Sequence, residues 1–471
     1  MLKNAVLILS GNAFTSLMSL IRNLLVARLI SVEDYGIAAT FAISMAVVEM
    51  MTTLGLQQLI IQDKDGHKPE LQAGLQGFHL ARSVIAAATL FFLAPLIASF
   101  LGIPEISWAY QVLAVVPFLN GLMHFDIFRK QREMVFLPFI VTMSLSILLS
   151  VVLVLPLYWW FGDYRVMLYS VIFQSLATLA FSHLMAERRY QLSFSKDVLM
   201  KSLHFGWPLL INNIFLFMVF QGERIIVGRE LGMASLAVFS MGVTLTLTPT
   251  LVVAKSVQSF FLPQLTKEKD NPSAFQEIAM AAMQSSLTNG LLLIAIIFTF
   301  GHTLVDILLG PNYASLKSLI VWFAILNGCR VFKAGSSIVA LSHARTSNAM
   351  ISNAFRVASI PISWYAAIAL GDPLVILWIA ITAEICGYIA SLLLVKLRVG
   401  LSLKQMIWPI LASLVAVGAT IALVWTSQSE GWATQPPIPP VIIVLGLVGV
   451  ALGLMRDLQR YFYDKIVMRQ R

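Results

Sequence analysis

Fourteen charged side chains lie inside or at the edges of long apolar stretches of this 471-residue chain, and its chemistry must be built from them. Nine are basic: Arg22, Arg28, Arg82, Arg224, Lys255, Lys317, Arg330, Lys333 and Arg356. Five are acidic: Glu49, Asp126, Glu223, Asp306 and Glu384. A charge at mid-bilayer costs ~2.5–3.5 kcal/mol, so such a residue faces a partner or a watery cavity. Nine basic minus five acidic side chains leaves +4. That excess suits an anionic ligand such as a phosphate or pyrophosphate. A carrier of organic cations requires the opposite sign.

The polar residues form stripes. Asn12, Ser16, Ser19 and Arg22 recur every three or four residues, which puts them on one face of the first helix. Glu49, Thr52 and Gln57 mark the second. Asn212, Asn213, Gln221, Glu223 and Arg224 mark the seventh, and Thr244, Thr248 and Lys255 the eighth. Interhelical hydrogen bonding, worth about 0.6 kcal/mol per contact, accounts for many such groups. Burial cost sets Arg22 and Lys255 apart as cavity residues. The expected binding set is Arg22, Asn12, Ser19, Lys255, Asn213 and Arg224, with Glu49, Glu223 and Glu384 for gating or ion coupling. Arg22 aligns with Glu223 in the repeat described below, and an ion pair between them is one expectation. Arg28, Lys317, Asp126 and Asp306 sit near span ends and can snorkel; Arg330 and Arg356 are expected to do the same.

Fourteen apolar stretches must position these groups. They begin near Ala5, Gly36, Phe78, Ser107, Phe136, Val166, Phe205, Ser235, Met283, Ser315, Asn348, Leu374, Met406 and Pro440. Each has the ~20 apolar residues that cross a bilayer as a helix. Backbone in lipid must bond internally, and barrel strands are shorter and alternate. The expected fold class is therefore an all-α integral membrane protein with about fourteen transmembrane helices. The first stretch is read as a retained helix: Asn12 and Arg22 lie within it, and no small-x-small cleavage site follows.

The chain is 58% hydrophobic and 12% charged, with net charge +9. Of its 32 Lys/Arg, twenty-one fall in every second gap and two, Arg165 and Arg229, in the others. The asymmetry places both termini in the cytoplasm. The clusters Arg129-Lys130-Gln131-Arg132, Arg188-Arg189 and the tail after Arg456 then read as orientation and anionic-lipid contacts, not nucleic-acid binding. Cys329 and Cys386 support neither a disulfide framework nor a metal site. His79, His124, His183, His204 and His343 read as solvated histidines near span ends. Tyr158, Trp159, Trp160 and Trp432 read as an aromatic belt. No phosphate-binding glycine loop is present, so the chain does not hydrolyse ATP by itself.

An internal repeat appears at an offset of about 201 residues. Val26–Gly36 lines up with Val227–Ala237, which sets Arg28 on Arg229 and Asn12 on Asn213. Six helices per copy give two lobes of one orientation, an arrangement that carries substrate by rocking. The expected organisation is an N-terminal lobe over 1–200, a C-terminal lobe over 201–400, and two further helices with a basic tail over 401–471.

At the repeat motifs the chain resembles the Wzx-type polysaccharide transporters of the multidrug/oligosaccharidyl-lipid/polysaccharide (MOP) flippase superfamily. The likeness rests on the segments 27–36, 53–62, 128–136 and 223–232, the last of which reads Glu-Arg-Ile-Ile-Val-Gly-Arg-Glu-Leu-Gly. Ala237 replaces a glycine usual in that family, and Glu223 stands where an aspartate is common. The resemblance implies a flippase for undecaprenyl-pyrophosphate-linked oligosaccharide, acting by alternating access at the bacterial inner membrane. The product would serve O-antigen, exopolysaccharide or capsule synthesis. It implies cavity cations on helices 1 and 8, to which Arg22 and Lys255 correspond by depth. It implies membrane lipid and a polysaccharide polymerase as partners. No cofactor is implied beyond H+ or Na+ coupling, at Glu49 or Glu384. A multidrug or cation antiporter and a lipid II flippase are the alternatives within the superfamily. A membrane-embedded polymerase or ligase would need a large outer loop, and Thr426–Pro439 carries only Glu430.

Overall fold

The computed structural model describes residues 2–52, 54–430 and 438–470, and among these every regular element is helical. Two compact units divide the chain, residues 1–237 and 238–471. The sequence repeat places its second copy from residue 201, so the units are divided differently from the repeat. The helix that opens the second copy belongs to the first compact unit.

Unit 1 contains α1 (Leu2–Leu29), α2 (Val32–Thr52), α3 (Leu56–Gln62), α4 (Pro69–Phe100), α5 (Ser107–Leu113), α6 (Val115–Gly121), α7 (Asp126–Arg132), α8 (Leu137–Phe161), α9 (Arg165–Leu184) and α10 (Lys196–Glu230). The boundary falls inside α11 (Gly232–Lys267). Unit 2 continues with α12 (Pro272–Leu308), α13 (Lys317–Ser342), α14 (Ser347–Leu370), α15 (Pro373–Val399), α16 (Ile407–Glu430), α17 (Ile438–Gly453) and α18 (Arg456–Gln470).

Among the described residues, eight helices are long and apolar enough to cross a membrane, or up to ten if each of two bent pairs is one span. This is fewer than the fourteen expected. Of the other long helices, α1 carries Arg22, α2 Glu49, α10 Glu223 and Arg224, and α14 Arg356. One bent pair joins the stretch Pro104–Gly121 to α7 at 48°, and the other joins α17 to α18 at 61°. Helices α4, α10 and α12 begin nine to eleven residues before their apolar runs. Each of the three is prolonged at its N-terminus by about two and a half to three turns. In α4 and α12, proline stands at the helix start, where its missing N–H costs nothing.

Turn chemistry sets the boundaries. Gly371 closes α14 with φ 65°, Asp372 Oδ1 accepts from Leu374 N at 2.8 Å, and Pro373 opens α15. Three residues thus end one helix and start the next. Close approach also depends on sequence. A Cβ on Gly36 in α2 would stand 1.9 Å from the Met233 carbonyl oxygen, so only glycine fits there.

Within unit 1, α8 packs on α1 and α9, and α10 packs on α2 and α4. Within unit 2, α12 packs on α13, and α15 on both α13 and α14. Phe92 on α4 is 76% exposed and Trp160 on α8 is 84% exposed. Apolar surface of this kind suits contact with lipid. Trp432, expected in the aromatic belt, lies outside the described residues.

Candidate functional site

Arg22 is the anchor of the first stripe. Along α1, Asn12 and Ser16 are exposed, Ser19 is half-buried and Arg22 is buried. The helical period therefore carries the stripe from an open surface into the packed interior. There Arg22 Nη1 donates to Ser150 Oγ on α8 at 3.0 Å and to Gln174 Oε1 on α9. Ser150 Oγ in turn donates to the Ser170 carbonyl at 2.9 Å. Both acceptors of Arg22 are neutral, so these bonds orient the guanidinium without cancelling its charge. Its Nε is buried and makes no hydrogen bond among the described residues. Such an orphan donor calls for an explanation.

Tyr35, 4% exposed near the start of α2, lies within electrostatic reach of both Arg22 and Arg224. Arg224 Nη1 donates to Gln221 Oε1 at 3.2 Å, one turn earlier on α10. Two guanidinium groups of the expected set thus lie within electrostatic reach of one phenol in unit 1. Glu223 is buried beside Arg224, and Asn213 is half-buried earlier on the same helix. The bonds of Arg22 to Ser150 and Gln174 run to α8 and α9, not to α10, which carries Glu223. Sequence reasoning missed Tyr35, which has no periodic signal. It also missed Gln174, although Gln174, Thr178 and Ser182 recur every four residues in α9.

A cavity of about 430 Å³ opens beside this anchor. Gln174 lines it, together with Glu49 of α2, Gln57 and Gln58 of α3, Arg82 of α4 and Asn120 of α6. Glu49 and Arg82 lie within electrostatic reach of each other. Arg82 Nη2 donates to His79 Nδ1 at 3.0 Å, and His79 Nε2 donates to the Asn120 carbonyl at 3.0 Å. These bonds define a neutral imidazole. His79 was expected to be solvated; it is 5% exposed because it ties α4 to α6. His124 is also buried, not solvated: its Nε2 donates to the Arg188 carbonyl at 3.0 Å.

Unit 2 holds a second charged cluster. Glu384 on α15 is fully buried. Lys333 Nζ stands 2.6 Å from its Oε1, while Arg356 Nε and Arg330 Nε stand 3.3 and 3.9 Å from its Oε2. Lys333 also donates to Asn353 Oδ1 at 2.8 Å, and Arg330 to Asn327 Oδ1 at 3.0 Å. Arg330 and Arg356 were expected to snorkel. They turn inward instead, because Glu384 supplies a partner in the interior. Lys255 is exposed on α11, with Thr244 and Thr248 half-buried on the same helix.

The basic segment after α6 also differs from expectation. Read as a lipid contact, it forms α7, whose Ile127 and Phe128 enter a core with Leu59, Ile60 and Leu75. Asp126, expected to snorkel, is fully buried: it pairs with Arg129 at 2.5 Å and accepts from the Glu187 amide at 2.8 Å. Arg132 donates to the carbonyl of Ile61 in the last turn of α3 and to those of Asp63 and Lys64 just after it. Here the cations cap helix ends, satisfying carbonyls that the last turn leaves open. The tail after Arg456 forms α18, held to α12 by Gln284, which bonds Asp457 Oδ2 and the Leu458 amide at 2.6 and 2.9 Å.

The fold is similar to that of several membrane transporters of known structure. The structure matches an inward-closed lipid II flippase MurJ with TM-score 0.70 over 99% of this chain and 100% of the other, at 12% identity. It matches an inward-facing multidrug resistance MATE family transporter of the MOP superfamily with TM-score 0.66, over 82% and 94%, at 15% identity. A MOP superfamily transporter from Pyrococcus furiosus, described as having a binding pocket of reversed polarity, matches with TM-score 0.52 over 85% and 95%, at 15% identity. At these identities the likeness is one of fold. No curated protein matches the chain in sequence. A sequence model of the polysaccharide biosynthesis protein family matches residues 25–318, and the chain belongs to that family.

Proposed function

We propose that the protein is a flippase that moves undecaprenyl-pyrophosphate-linked oligosaccharide across the bacterial inner membrane by alternating access. The observation that carries this reading is Arg22: a buried cation on α1, braced by two neutral acceptors, whose Nε makes no hydrogen bond among the described residues. An oxyanion of phosphate is the natural acceptor for that edge, because guanidinium and phosphate match in geometry and charge. Arg224, also within electrostatic reach of Tyr35, supplies a second cation. Lys255, exposed on α11, is a further cation of the expected set.

Both termini face the cytoplasm in this reading, and the head group enters from that side. Arg22 and Arg224 take the pyrophosphate while the polyprenyl tail stays in lipid. Rocking of the lobes then exposes the head group to the far side. The proposed residue for H+ or Na+ coupling is Glu49; its opening on the cavity supports it over Glu384, which three cations surround. Glu223 is the proposed gate, and the exported unit serves O-antigen, exopolysaccharide or capsule synthesis with a polymerase downstream. A lipid II substrate is the second reading, favoured by the full-length likeness to a lipid II flippase. The same phosphate chemistry serves both. Translocation assays on the two lipids in proteoliposomes, with Arg22→Ala as control, decide between them.

A further inference from the structure

The cavity in unit 1 has no part in holding the phosphate; its wall is mostly apolar, and polar side chains from several helices are set into it. Four side-chain amides line it: Gln57, Gln58, Asn120 and Gln174. Each presents donors and an acceptor. Among the described residues that line it, Glu49 is the one carboxylate; its charge is balanced by Arg82, and His79 is held neutral by the bond it accepts from Arg82. The lining is therefore formally neutral. A pyrophosphate would find no net positive charge there, and an organic cation no net negative charge. A neutral molecule that carries both hydroxyl or amide groups and apolar ring faces would find partners for each. At about 430 Å³ the cavity falls within the ~300–1,000 Å³ of small-molecule sites.

Two further contacts fix what such a molecule is attached to. Gln174 lines the cavity and also accepts from Arg22, so the neutral cavity adjoins the proposed anion site through one side chain. On another side the cavity shares Val48 and Ala86 with an apolar cavity of about 670 Å³. That second space runs along α4 through Leu90, Leu93 and Ile97 to Phe100. A space with polar side chains set into its wall, a cation and an apolar cavity thus meet within one unit. A sugar joined through phosphate to a hydrocarbon chain has the same three parts.

We infer that the cavity bounded by Glu49, Gln57, Gln58, Arg82, Asn120 and Gln174 is a saccharide subsite. It takes the neutral pyranose next to the phosphate of the lipid-linked substrate and sets which glycolipids are accepted. The inference rests on the flippase reading above, with Arg22 holding the phosphate. The amides bond the ring hydroxyls or an acetamido group, while Glu49 offers an acceptor and Arg82 a donor on the same lining. The neighbouring apolar cavity takes the first isoprene units.

The test is equilibrium binding to the full-length protein in detergent, with three probes: undecaprenyl pyrophosphate, and the same lipid carrying one neutral hexose or one N-acetylhexosamine. Two cavity variants are compared with the wild type, Gln57→Ala, which deletes one amide, and Gln57→Trp, which fills the space. Gln57 is exposed on a seven-residue helix, and monodispersity on size-exclusion chromatography verifies folding. The wild type should bind at least one glycolipid tenfold or more tighter than the bare lipid, which is about 1.4 kcal/mol. Gln57→Trp should abolish that preference and Gln57→Ala reduce it, while binding of the bare lipid stays within twofold. If neither glycolipid binds the wild type more tightly than the bare lipid, or if the variants keep the preference, the subsite is refuted and the phosphate site stands. If the wild type binds none of the three lipids, the flippase reading itself fails, and the subsite with it.

Discussion

Replacing Glu384 by glutamine should destabilise unit 2 sharply. The carboxylate is fully buried between Lys333 at 2.6 Å, Arg356 at 3.3 Å and Arg330 at 3.9 Å. Glutamine keeps the shape and removes the only negative charge of this foursome. Three cations then face one another with little access to water, since their side chains are at most 14% exposed. Breaking a buried pair by removing one partner costs about 3–5 kcal/mol, because the surviving charge stays desolvated. Removing one cation as well should restore part of the loss. Lys333→Met in the Glu384→Gln background should recover about 1–3 kcal/mol as coupling energy. The chain carries a convenient reporter: Cys329 is buried on α13, one residue from Arg330, and Cys386 is exposed. In a Cys386→Ser background, a thiol-reactive fluorophore reads the thermal exposure of Cys329 alone. Glu384→Gln should melt well below the parent and the double variant in between. Equal melting of Glu384→Gln and parent would refute the claim that this ion cluster holds unit 2 together.

Other outcomes follow from the same reasoning. Gly36→Ala should lower the melting temperature and yield of folded protein, since its Cβ would meet the Met233 carbonyl oxygen at 1.9 Å; Gly418→Ala, with nothing within 4 Å, should be silent in the same assay. Arg22→Lys should retain more transport than Arg22→Ala but lose at least tenfold in rate, because an ammonium keeps the charge and loses the fork that bridges Ser150, Gln174 and a phosphate. Burial pushes the Asp63 carboxyl up, but Lys201 at 2.6 Å and the Asp65 amide outweigh it and hold it below its ordinary value. That stabilisation is present above the unfolded value of ~3.9 and is lost as pH falls through the lower folded value. Lys201→Ala should therefore increase proteolytic cutting at 63–68 at neutral pH, and an acid-stable protease should cut variant and wild type alike once Asp63 is protonated.

The sequence made the helices legible because bilayer length and apolar runs are local properties. Where apolar runs and helices part, as at α4, α10 and α12, about two and a half to three further turns begin the helix. Arg22 was legible too, because Asn12, Ser16 and Ser19 lead to it at helical spacing. Its surroundings were not. Ser150 and Gln174 lie 128 and 152 residues away, and nothing local ties them to α1. Likewise, Arg356 and Arg330 carry no sign in the sequence that they turn inward, because that depends on Glu384 on a different helix. The segment 129–132 misled for the same reason: charge pattern reports a cation, and only the fold reports that Asp126, Glu187 and the carbonyls at the end of α3 receive it.

The most direct test of the account is translocation in proteoliposomes. An undecaprenyl-pyrophosphate-linked oligosaccharide is incorporated, and its accessibility in the outer leaflet is followed with wild type and with Arg22→Ala. The account predicts movement by the wild type that Arg22→Ala loses at normal expression and monodispersity. Movement at the wild-type rate in Arg22→Ala would contradict the assignment of the anion site, and no movement by the wild type under a proton or sodium gradient of either sign would contradict the flippase.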